Sequence, residues 1–254
     1  MRAVRVGGSY DESREQRLWA ALGGLIVLAT VGIALVICDA GSGLCHPTLA
    51  RLGAGFAAVL IAFRLGRPVT RLLRRVRNGR RGERLVADLL SGLPDDYWLL
   101  NDVALGVARG TIDHLLIGPC GVVVIDAQDL AGDIRCWENG WSVNGYHRDD
   151  VGRHANSEAC AVRYFLSEKH PDLVTSALRW VESIVVFTHP LCHVEGSDAR
   201  ATVVRYSQLY QTVLELARKN RMAPPTAALL AQTVATSQMV DAGALERDPI
   251  TSWS

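Results

Sequence analysis

Lysine is nearly missing from this sequence: Lys169 and Lys219 are its only lysines, although the chain has 27 basic residues in total. The other basic residues are arginines, whose guanidinium stays protonated and is a poor proton acceptor. Chemistry that depends on a lysine in any other part of the chain is therefore excluded. The six cysteines follow none of the spacings that hold zinc, which argues against a zinc finger.

Charged residues are absent from Leu18–Ile37, a run of twenty residues. This is about the length that crosses the hydrocarbon core of a bilayer. A cleaved signal peptide is the alternative, but its apolar core would be shorter, and no small-x-small cleavage site precedes a clean mature start. We therefore predict a retained transmembrane helix.

A second apolar run, Leu52–Phe63, has only twelve residues. Extended back to Cys45 it becomes long enough to span, but it then includes Arg51, which would lie near one end and reach the interface. We predict a hairpin of two transmembrane helices, with one span plus an interfacial helix as the alternative. If both runs span, Cys38 and Cys45 flank an outside loop and could form a disulfide in an oxidising compartment.

Arginines follow the second apolar run at once: Arg64, Arg67, Arg71, Arg74, Arg75, Arg77, Arg80 and Arg81. By the positive-inside rule this run stays in the cytoplasm, where it could also rest on anionic lipid head groups. A nucleic-acid-binding arm is the alternative. Residues 1–81 hold 13 arginines against 4 acids, whereas residues 82–254 hold 14 basic residues against 22 acids. We predict a multi-pass protein of the cell membrane with both termini and its globular part in the cytoplasm.

Strands and helices alternate after Arg80. The patterns of apolar residues predict strands at Trp98–Val103, Thr111–Ile117, Val122–Asp126, Gly132–Trp137, Trp141–Val143, Ser183–Thr188 and Ala201–Arg205. They predict helices from about Arg80 to Leu93, and at Ala155–Ser167, Tyr206–Lys219 and Thr226–Ala235, with an Asn139-Gly140 turn and a mobile tail to Ser254. This order indicates the α/β class, with a mixed central sheet flanked by helices.

The stretch from Thr111 to Gln128 predicts a β-hairpin. Gly118-Pro119-Cys120-Gly121 suits a tight turn, and the β-branched run Val122–Ile125 is typical of a strand that is buried on both faces. A hairpin that is symmetric about the Pro119–Cys120 bond places Asp113 opposite Asp126. Two carboxylates that close repel each other unless a cation or a shared proton lies between them. The alternative is that both side chains end their strands and point into water.

Three potential metal ligands, His189, Cys192 and His193, cluster after the strand predicted at Ser183–Thr188. A metal site is one interpretation of this cluster. Chance is the other, because proline-broken loops often carry histidine.

The pattern Ile112-Asp113-His114, then Gly121 through Asp126, then an acid-x-polar ending resembles the nuclease-related domain (NERD) family, which is similar to the PD-(D/E)xK nucleases. The resemblance covers roughly Arg80 to Arg221 and implies a restriction-endonuclease-like fold. The family has a Gly-Glu pair on a preceding helix, which is present here as Gly82-Glu83. The family's lysine is replaced by Gln128, and His154 occupies a position where its members usually have glutamine.

The resemblance implies a catalytic set of Glu83, Asp113, Asp126 and Gln128, with Asp113 and Asp126 holding Mg²⁺ or Mn²⁺ and with DNA or RNA as substrate. Without the resemblance, Glu83 could equally complement the dipole of a helix whose first turn contains it. Gln128 can orient water but supplies no charge, so we predict slow cleavage or none. Arg135, on the next predicted strand, is a poor substitute for the lysine because arginine rarely accepts a proton.

Three hypotheses about function follow: a membrane-tethered metal-dependent nuclease, a catalytically weakened relative that binds or senses nucleic acid, and a protein-assembly domain whose acidic pair is incidental. The acidic balance after residue 82 argues against tight non-specific nucleic-acid binding, although the arginine run could supply a basic surface. The predicted domains are a membrane anchor at residues 1–79, a nuclease-related domain at 80–221, and a C-terminal helix and tail at 222–254.

Overall fold

The computed structural model describes residues 2–5, 9–41, 49–105, 111–137, 140–148, 150–197 and 200–245. The chain divides into two compact units. One unit comprises Ser9–Asn78, and the other comprises Gly79–Ser254 together with the N-terminal Met1–Gly8.

Helix α1 covers Ser9–Gly41, so the uncharged run from Leu18 to Ile37 is helical. Several of its apolar side chains are exposed, among them Ile26, Val27 and Val31. Among the residues that the structure describes, no helix combines the length and the apolarity needed to cross a membrane. The two predicted transmembrane spans are therefore not supported by the structure. The predicted outside loop is Asp39–Pro47. Its first three residues belong to α1, whereas residues 42–48, among them Cys45, and the side chain of Cys38 lie outside the described residues.

Helix α2 covers Leu49–Leu90 without interruption, although it contains Pro68. The prediction of a separate helix that begins near Arg80 is therefore wrong. Arginine and leucine, which dominate the segment before Arg80, are both strong helix formers, so nothing ends the helix there. Glu83 consequently lies far from the N-terminus of its helix, and the alternative that it complements a first-turn dipole is excluded.

The second unit contains ten strands in the described residues. In chain order they are β1 (Arg2–Arg5), β2 (Trp98–Ala104), β3 (Thr111–Gly118), β4 (Gly121–Gln128), β5 (Gly132–Trp137), β6 (Gly140–Val143), β7 (Tyr146–His147), β8 (Glu182–Phe187), β9 (Cys192–Gly196) and β10 (Thr202–Arg205). The sequence predicted seven of them to within about a residue or two at each end. It missed β1, β7 and β9.

Six strands form the larger sheet in the order β1-β2-β3-β4-β8-β10. The β2-β3 and β3-β4 pairs are antiparallel, whereas β1-β2, β4-β8 and β8-β10 are parallel. The predicted mixed sheet is thus confirmed. Strand β1, which was not predicted, pairs along β2 from Arg2 opposite Trp98 to Arg5 opposite Asn101. A four-residue edge strand with two arginines has no hydrophobic pattern by which sequence could identify it.

Helices cover both faces of this sheet, as predicted. Helices α3 (Asp150–Lys169) and α5 (Pro224–Leu245) pack on one face, where Val124 and Leu115 contribute to the core. The end of α2 and helix α4 (Tyr206–Asn220) pack on the other face. Helices α3 and α5 are longer than predicted. Residues 236–245, the first part of the predicted mobile tail, belong to α5, so the prediction is wrong there, and residues 246–254 lie outside the described residues.

A smaller sheet, in the order β7-β6-β5-β9, branches from the ends of the central strands. Strand β5 pairs antiparallel with β6 and parallel with β9. The inner face of this sheet buries Ile134 and Trp141 against Phe187 of β8 and Ala155 of α3. Asn139, the first residue of the predicted turn before β6, lies outside the described residues.

Candidate active site

The β3-β4 hairpin has the register that its sequence symmetry predicted. Gly118 pairs with Gly121, Leu116 with Val123 and His114 with Ile125, where the strand pairing ends; Asp113 and Asp126 are the next residues on the two strands. Beyond this pairing the acceptor is a side chain instead of a backbone carbonyl: the Ala127 amide donates a hydrogen bond to Oδ2 of Asp113 at 3.0 Å. Asp113 is thereby held against the end of β4.

Asp126 is 4% exposed at the end of β4, the central strand between β3 and β8. The Gln128 side chain lies on the same side of the strand, and its Nε2 donates a hydrogen bond to Oδ1 of Asp126 at 2.8 Å. A lysine in place of Gln128 would bring a full positive charge to the same carboxylate. The glutamine brings only an amide dipole.

Gly82 lets α2 approach the ends of the two central parallel strands. A Cβ at this position would lie 2.7 Å from Oγ1 of Thr188, the residue after β8, which is closer than such atoms can pack. The Thr188 amide in turn donates to the Gln128 carbonyl at 3.0 Å, so β4 and β8 end together. The glycine of the Gly-Glu pair therefore permits α2 to contact the strand ends. Glu83, the next residue on the helix, is brought near the same strand ends.

Like charges meet around Asp113. Burial raises the pKa of Asp113 well above its ordinary value, and the nearby carboxylates of Asp126, Glu83 and Glu158 raise it further. The hydrogen bond from the Ala127 amide works in the opposite direction but does not prevail. The four acids come from four separate elements: Asp113 from β3, Asp126 from β4, Glu83 from α2 and Glu158 from α3. Helices α2 and α3 pack on opposite faces of the sheet.

Glu158 is the member of this acidic group that sequence reasoning missed. It is buried on α3, and its Oε1 accepts from Nε2 of His154, one turn earlier, at 3.2 Å. A signal was present, because Glu158 lies in the apolar stripe that Ala155, Ala159 and Val162 form along the helix. Burying an acid within such a stripe is costly unless the carboxylate is paired with a specific partner or binds a metal.

His114 points to the opposite face of β3 from Asp113 and is 2% exposed. Its Nδ1 lies 2.7 Å from Oδ1 of Asn101, and since an amide oxygen only accepts, Nδ1 carries the proton. Burial lowers the pKa of His114 to about 4, and the nearby backbone of Glu83 opposes this shift only in part. His114 is therefore a neutral packing residue beneath the acidic group.

Other sequence candidates have different surroundings. His189 Nδ1 accepts from the Leu191 amide at 3.1 Å, and His193 pairs with Glu195 at 3.1 Å. Arg135 also pairs with Glu195, at 3.5 Å, on the smaller sheet. Within the described parts of the chain, no group of three or more His, Cys, Asp or Glu side chains is close enough to hold a metal ion by itself.

These observations define a class of protein: an α/β fold with carboxylates gathered at the carboxyl ends of two central parallel strands. This is the edge at which open α/β sheets place their ligand sites. Residues 78–188 match the nuclease-related domain (NERD) family, so a nuclease-related domain is found there. The match begins close to the predicted Arg80 but ends before the predicted Arg221. No curated protein and no solved structure matches the chain.

Proposed function

We propose that the nuclease-related domain at residues 78–188 hydrolyses phosphodiester bonds in nucleic acid with the help of a divalent metal ion, and that it does so slowly. The observation that carries this proposal is the closeness of Asp113 and Asp126 at the end of a buried hairpin: Asp113 accepts a hydrogen bond from the amide that follows Asp126, and the mutual repulsion of the two carboxylates favours a bound cation. The family match supports the same chemistry by analogy.

The donors suit a hard cation. Asp113 and Asp126 offer oxygen atoms, and Mg²⁺ is commonly held by one or two carboxylates together with water and substrate phosphates. A site with two carboxylate ligands is therefore compatible with the finding that no three described acidic, histidine or cysteine side chains form a ligand group. Mn²⁺ prefers similar ligands and is the second candidate.

Each polar residue of the site has its own role in this proposal. Asp113 and Asp126 hold the cation, and Glu83 and Glu158 strengthen the negative field that attracts it. When bound, the ion would polarise the phosphodiester and lower the pKa of an attacking water. Gln128 orients water or a phosphate oxygen through its amide but contributes no charge to the transition state. The loss of one positioned cation costs about 3–4 kcal/mol, or two to three decades in rate.

A second candidate function is supported by one specific contact. The Gln128 amide is engaged with Asp126 at 2.8 Å, so the residue that replaces the family's lysine binds the carboxylate on which a metal would depend. This arrangement is consistent with a domain that binds or senses nucleic acid without cutting it.

The test uses the full chain, purified in a mild detergent, with labelled single- and double-stranded DNA and RNA. The proposal expects slow cleavage that requires Mg²⁺ or Mn²⁺ and disappears in both Asp113→Asn and Asp126→Asn. Calorimetric titration with the same metals should show binding heat that these substitutions remove. Metal binding without cleavage would favour the sensing function, and heat that neither substitution changes would overturn the metal site.

Attachment to a membrane is a further part of this proposal. Its support is the uncharged run Leu18–Ile37, the exposed apolar side chains on α1, and the arginine-rich segment that follows the second apolar run. Anionic lipid head groups are the surface that such arginines fit. In intact cells, Cys45 should react with an impermeant thiol reagent, while a reporter fused after Ser254 should be protected. Shielded Cys45 with an accessible reporter would contradict the hairpin topology.

A further inference from the structure

The smaller sheet carries an exposed aromatic surface that the acidic site does not use. On β5 the outward side chains are Asp133, Arg135 and Trp137, while Ile134 and Cys136 face the core. Trp137 is 46% exposed although it lies on a regular strand. A single exposed indole is ordinary, but one that lies beside a second exposed ring on a sheet face can form part of a binding surface.

The ring of Trp137 lies over the backbone of Gly140 on the neighbouring strand. Its cross-strand partner is Gly140, and a Cβ added there would lie 2.5 Å from Cε2 of the Trp137 ring. His147 then stacks beside Trp137, with ring centroids 5.7 Å apart and an interplanar angle of 29°. We call this exposed pair of stacked rings the stacking platform.

Polar side chains border the stacking platform. Arg135 lies two residues before Trp137 on the same face, and its cross-strand neighbours are Ser142 on β6 and Glu195 on β9. Glu195 is already engaged by Arg135 and His193. This face carries two acids, Asp133 and Glu195, against Arg135, so it is not basic, and a ligand would be held by its flat surface more than by its charge.

Chain connectivity links the stacking platform to the acidic site. Strand β5 starts four residues after Gln128, and β9 starts four residues after Thr188, so both leave from the strand ends where the acids lie. The Gly132 amide donates to the Leu191 carbonyl at 3.0 Å and ties these two connections together. Nine residues separate Trp137 from Gln128, a span of at most about 30 Å. A single flexible polymer can therefore touch both places.

We propose that the stacking platform of Trp137 and His147 binds unpaired nucleobases, and that single-stranded nucleic acid is the substrate class of the neighbouring acidic site. Exposed aromatic rings on a sheet bind single strands because every unpaired base offers a π-face, whereas a duplex keeps its bases stacked inside. Binding by stacking is also compatible with the net acidity of residues 82–254, since stacking does not need a basic surface. This inference rests on the proposed function for the link to cleavage, but the binding itself does not.

The test measures binding of a fluorescein-labelled deoxyadenosine oligonucleotide of about 12 nucleotides, a length within the usual range for such sites. The full chain in mild detergent is used, with EDTA present so that cleavage cannot occur. Trp137→Ala should weaken binding roughly ten-fold, as expected for the loss of one base-aromatic stack. Trp137→Phe should keep most of the affinity but remove the tryptophan quenching that accompanies binding.

The matched control is Trp180→Ala. Trp180 is 66% exposed in a different part of the fold, before β8, and its removal should leave the affinity unchanged. A duplex of the same sequence should bind at least about ten-fold more weakly than the single strand. The slope of log affinity against log salt should be shallow, near −1, because few phosphates are neutralised.

The outcomes separate this inference from the proposed function. Asp126→Asn should abolish divalent-metal binding and cleavage but leave oligonucleotide binding intact. Equal affinities for the parent and a correctly folded Trp137→Ala would overturn the stacking platform, even if cleavage were found. A change of oligomeric state in Trp137→Ala, with oligonucleotide binding unaltered, would instead show that this face joins two copies of the chain and would overturn it as well.

Discussion

Strands β4 and β5 follow one another in the chain, yet they present polar residues in opposite ways. Every residue of β4 from Gly121 to Ala127 is buried, whereas β5 alternates between buried and exposed positions. Polar groups at the end of β4 are therefore confined beside one another, and their charges interact strongly. Those on β5 face water and pair locally. This difference is why we propose metal-dependent chemistry at the end of β4 and binding of a flat ligand on the surface of β5.

The same contrast holds for histidine. His114 on β3 is buried and hydrogen-bonded to Asn101, while His147 and His193 are exposed on the smaller sheet. The buried residue resists protonation because the charged form would lose its hydration. Burial of His114 thus makes the stability of the fold depend on pH.

The largest expected effect comes from adding the missing charge at the end of β4. Gln128→Lys should raise metal-dependent cleavage by at least about ten-fold, and by as much as two to three decades, because a positioned cation stabilises developing negative charge. The measurement is the cleavage rate on single- and double-stranded substrates.

Gln211→Lys is the matched control, because it adds the same charge at an exposed position on α4 and should change nothing. The gain from Gln128→Lys should disappear when Asp126→Ala is added. A parent that already cleaves briskly, with Gln128→Lys neutral or harmful, would show that glutamine is a competent member of the site.

The next effect is on stability in acid. The pKa of His114 is lowered to about 4, so the unfolded chain binds a proton near pH 6.5 that the folded chain does not bind until about pH 4. Stability should therefore fall as the pH drops through this window, and His114 alone should account for up to about 3 kcal/mol. Denaturant unfolding of the parent and of His114→Gln at several pH values measures this loss.

The His114→Gln variant should lose less stability between these pH values than the parent. The exposed His193→Gln serves as the control and should follow the parent closely. Parallel curves for the parent and His114→Gln would mean that His114 is not protected from protonation in the folded chain.

A smaller effect is expected where α2 touches the strand ends. Gly82→Ala should destabilise the fold by about 1–2 kcal/mol, because its Cβ would press on Oγ1 of Thr188. Gly79→Ala, on the same helix, meets nothing closer than 3.8 Å and should stabilise by up to about 1 kcal/mol through better helix propensity. Denaturant unfolding of the two variants provides the comparison, and an equal effect would show that α2 does not depend on this contact.

The smallest effect concerns the repulsion among the acids. The pKa of Asp113 is raised, so its ionised carboxylate lowers the free energy of unfolding at pH values above that pKa. As the pH falls through the pKa, the carboxylate is protonated and the fold regains this stability. Asp113→Asn should therefore raise the melting temperature at neutral pH by roughly 2–4 °C, the shift that about 1 kcal/mol produces in a chain of this size.

Mg²⁺ should raise the melting temperature of the parent but not that of Asp113→Asn, and so should reduce the difference in melting temperature between the two proteins. The exposed Asp88→Asn on α2 is the control and should not alter the melting temperature appreciably. A lower melting temperature for Asp113→Asn in the absence of metal would show that its hydrogen bond to Ala127 outweighs the repulsion.

Local patterns were enough to predict the site's central hairpin. The Gly-Pro-Cys-Gly turn and the β-branched run Val122–Ile125 specify the register, and the register brings Asp113 and Asp126 to the same end of the hairpin. They also predicted the mixed α/β class and the side of β4 on which Gln128 lies. These features follow from neighbouring residues along one hairpin, where the period of two in a strand leaves little freedom.

Features that depend on distant segments were not predictable in this way. Strand β1 forms only because β2 offers an edge, and α2 runs through the arginine segment because no residue there ends it. Glu158 joins the acidic group only through the packing of α3 on the sheet. The stacking platform likewise needs Gly140 and His147 to be brought beside Trp137 by strand pairing.

The sequence by itself determined the hairpin, its two opposed aspartates, the adjacent glutamine and the absence of a lysine near them. The tertiary structure decided which further carboxylates approach Asp113, because Glu83 and Glu158 come from helices on opposite faces of the sheet. It also decided how strongly these charges interact, since burial rather than residue type sets the cost of an unneutralised carboxylate.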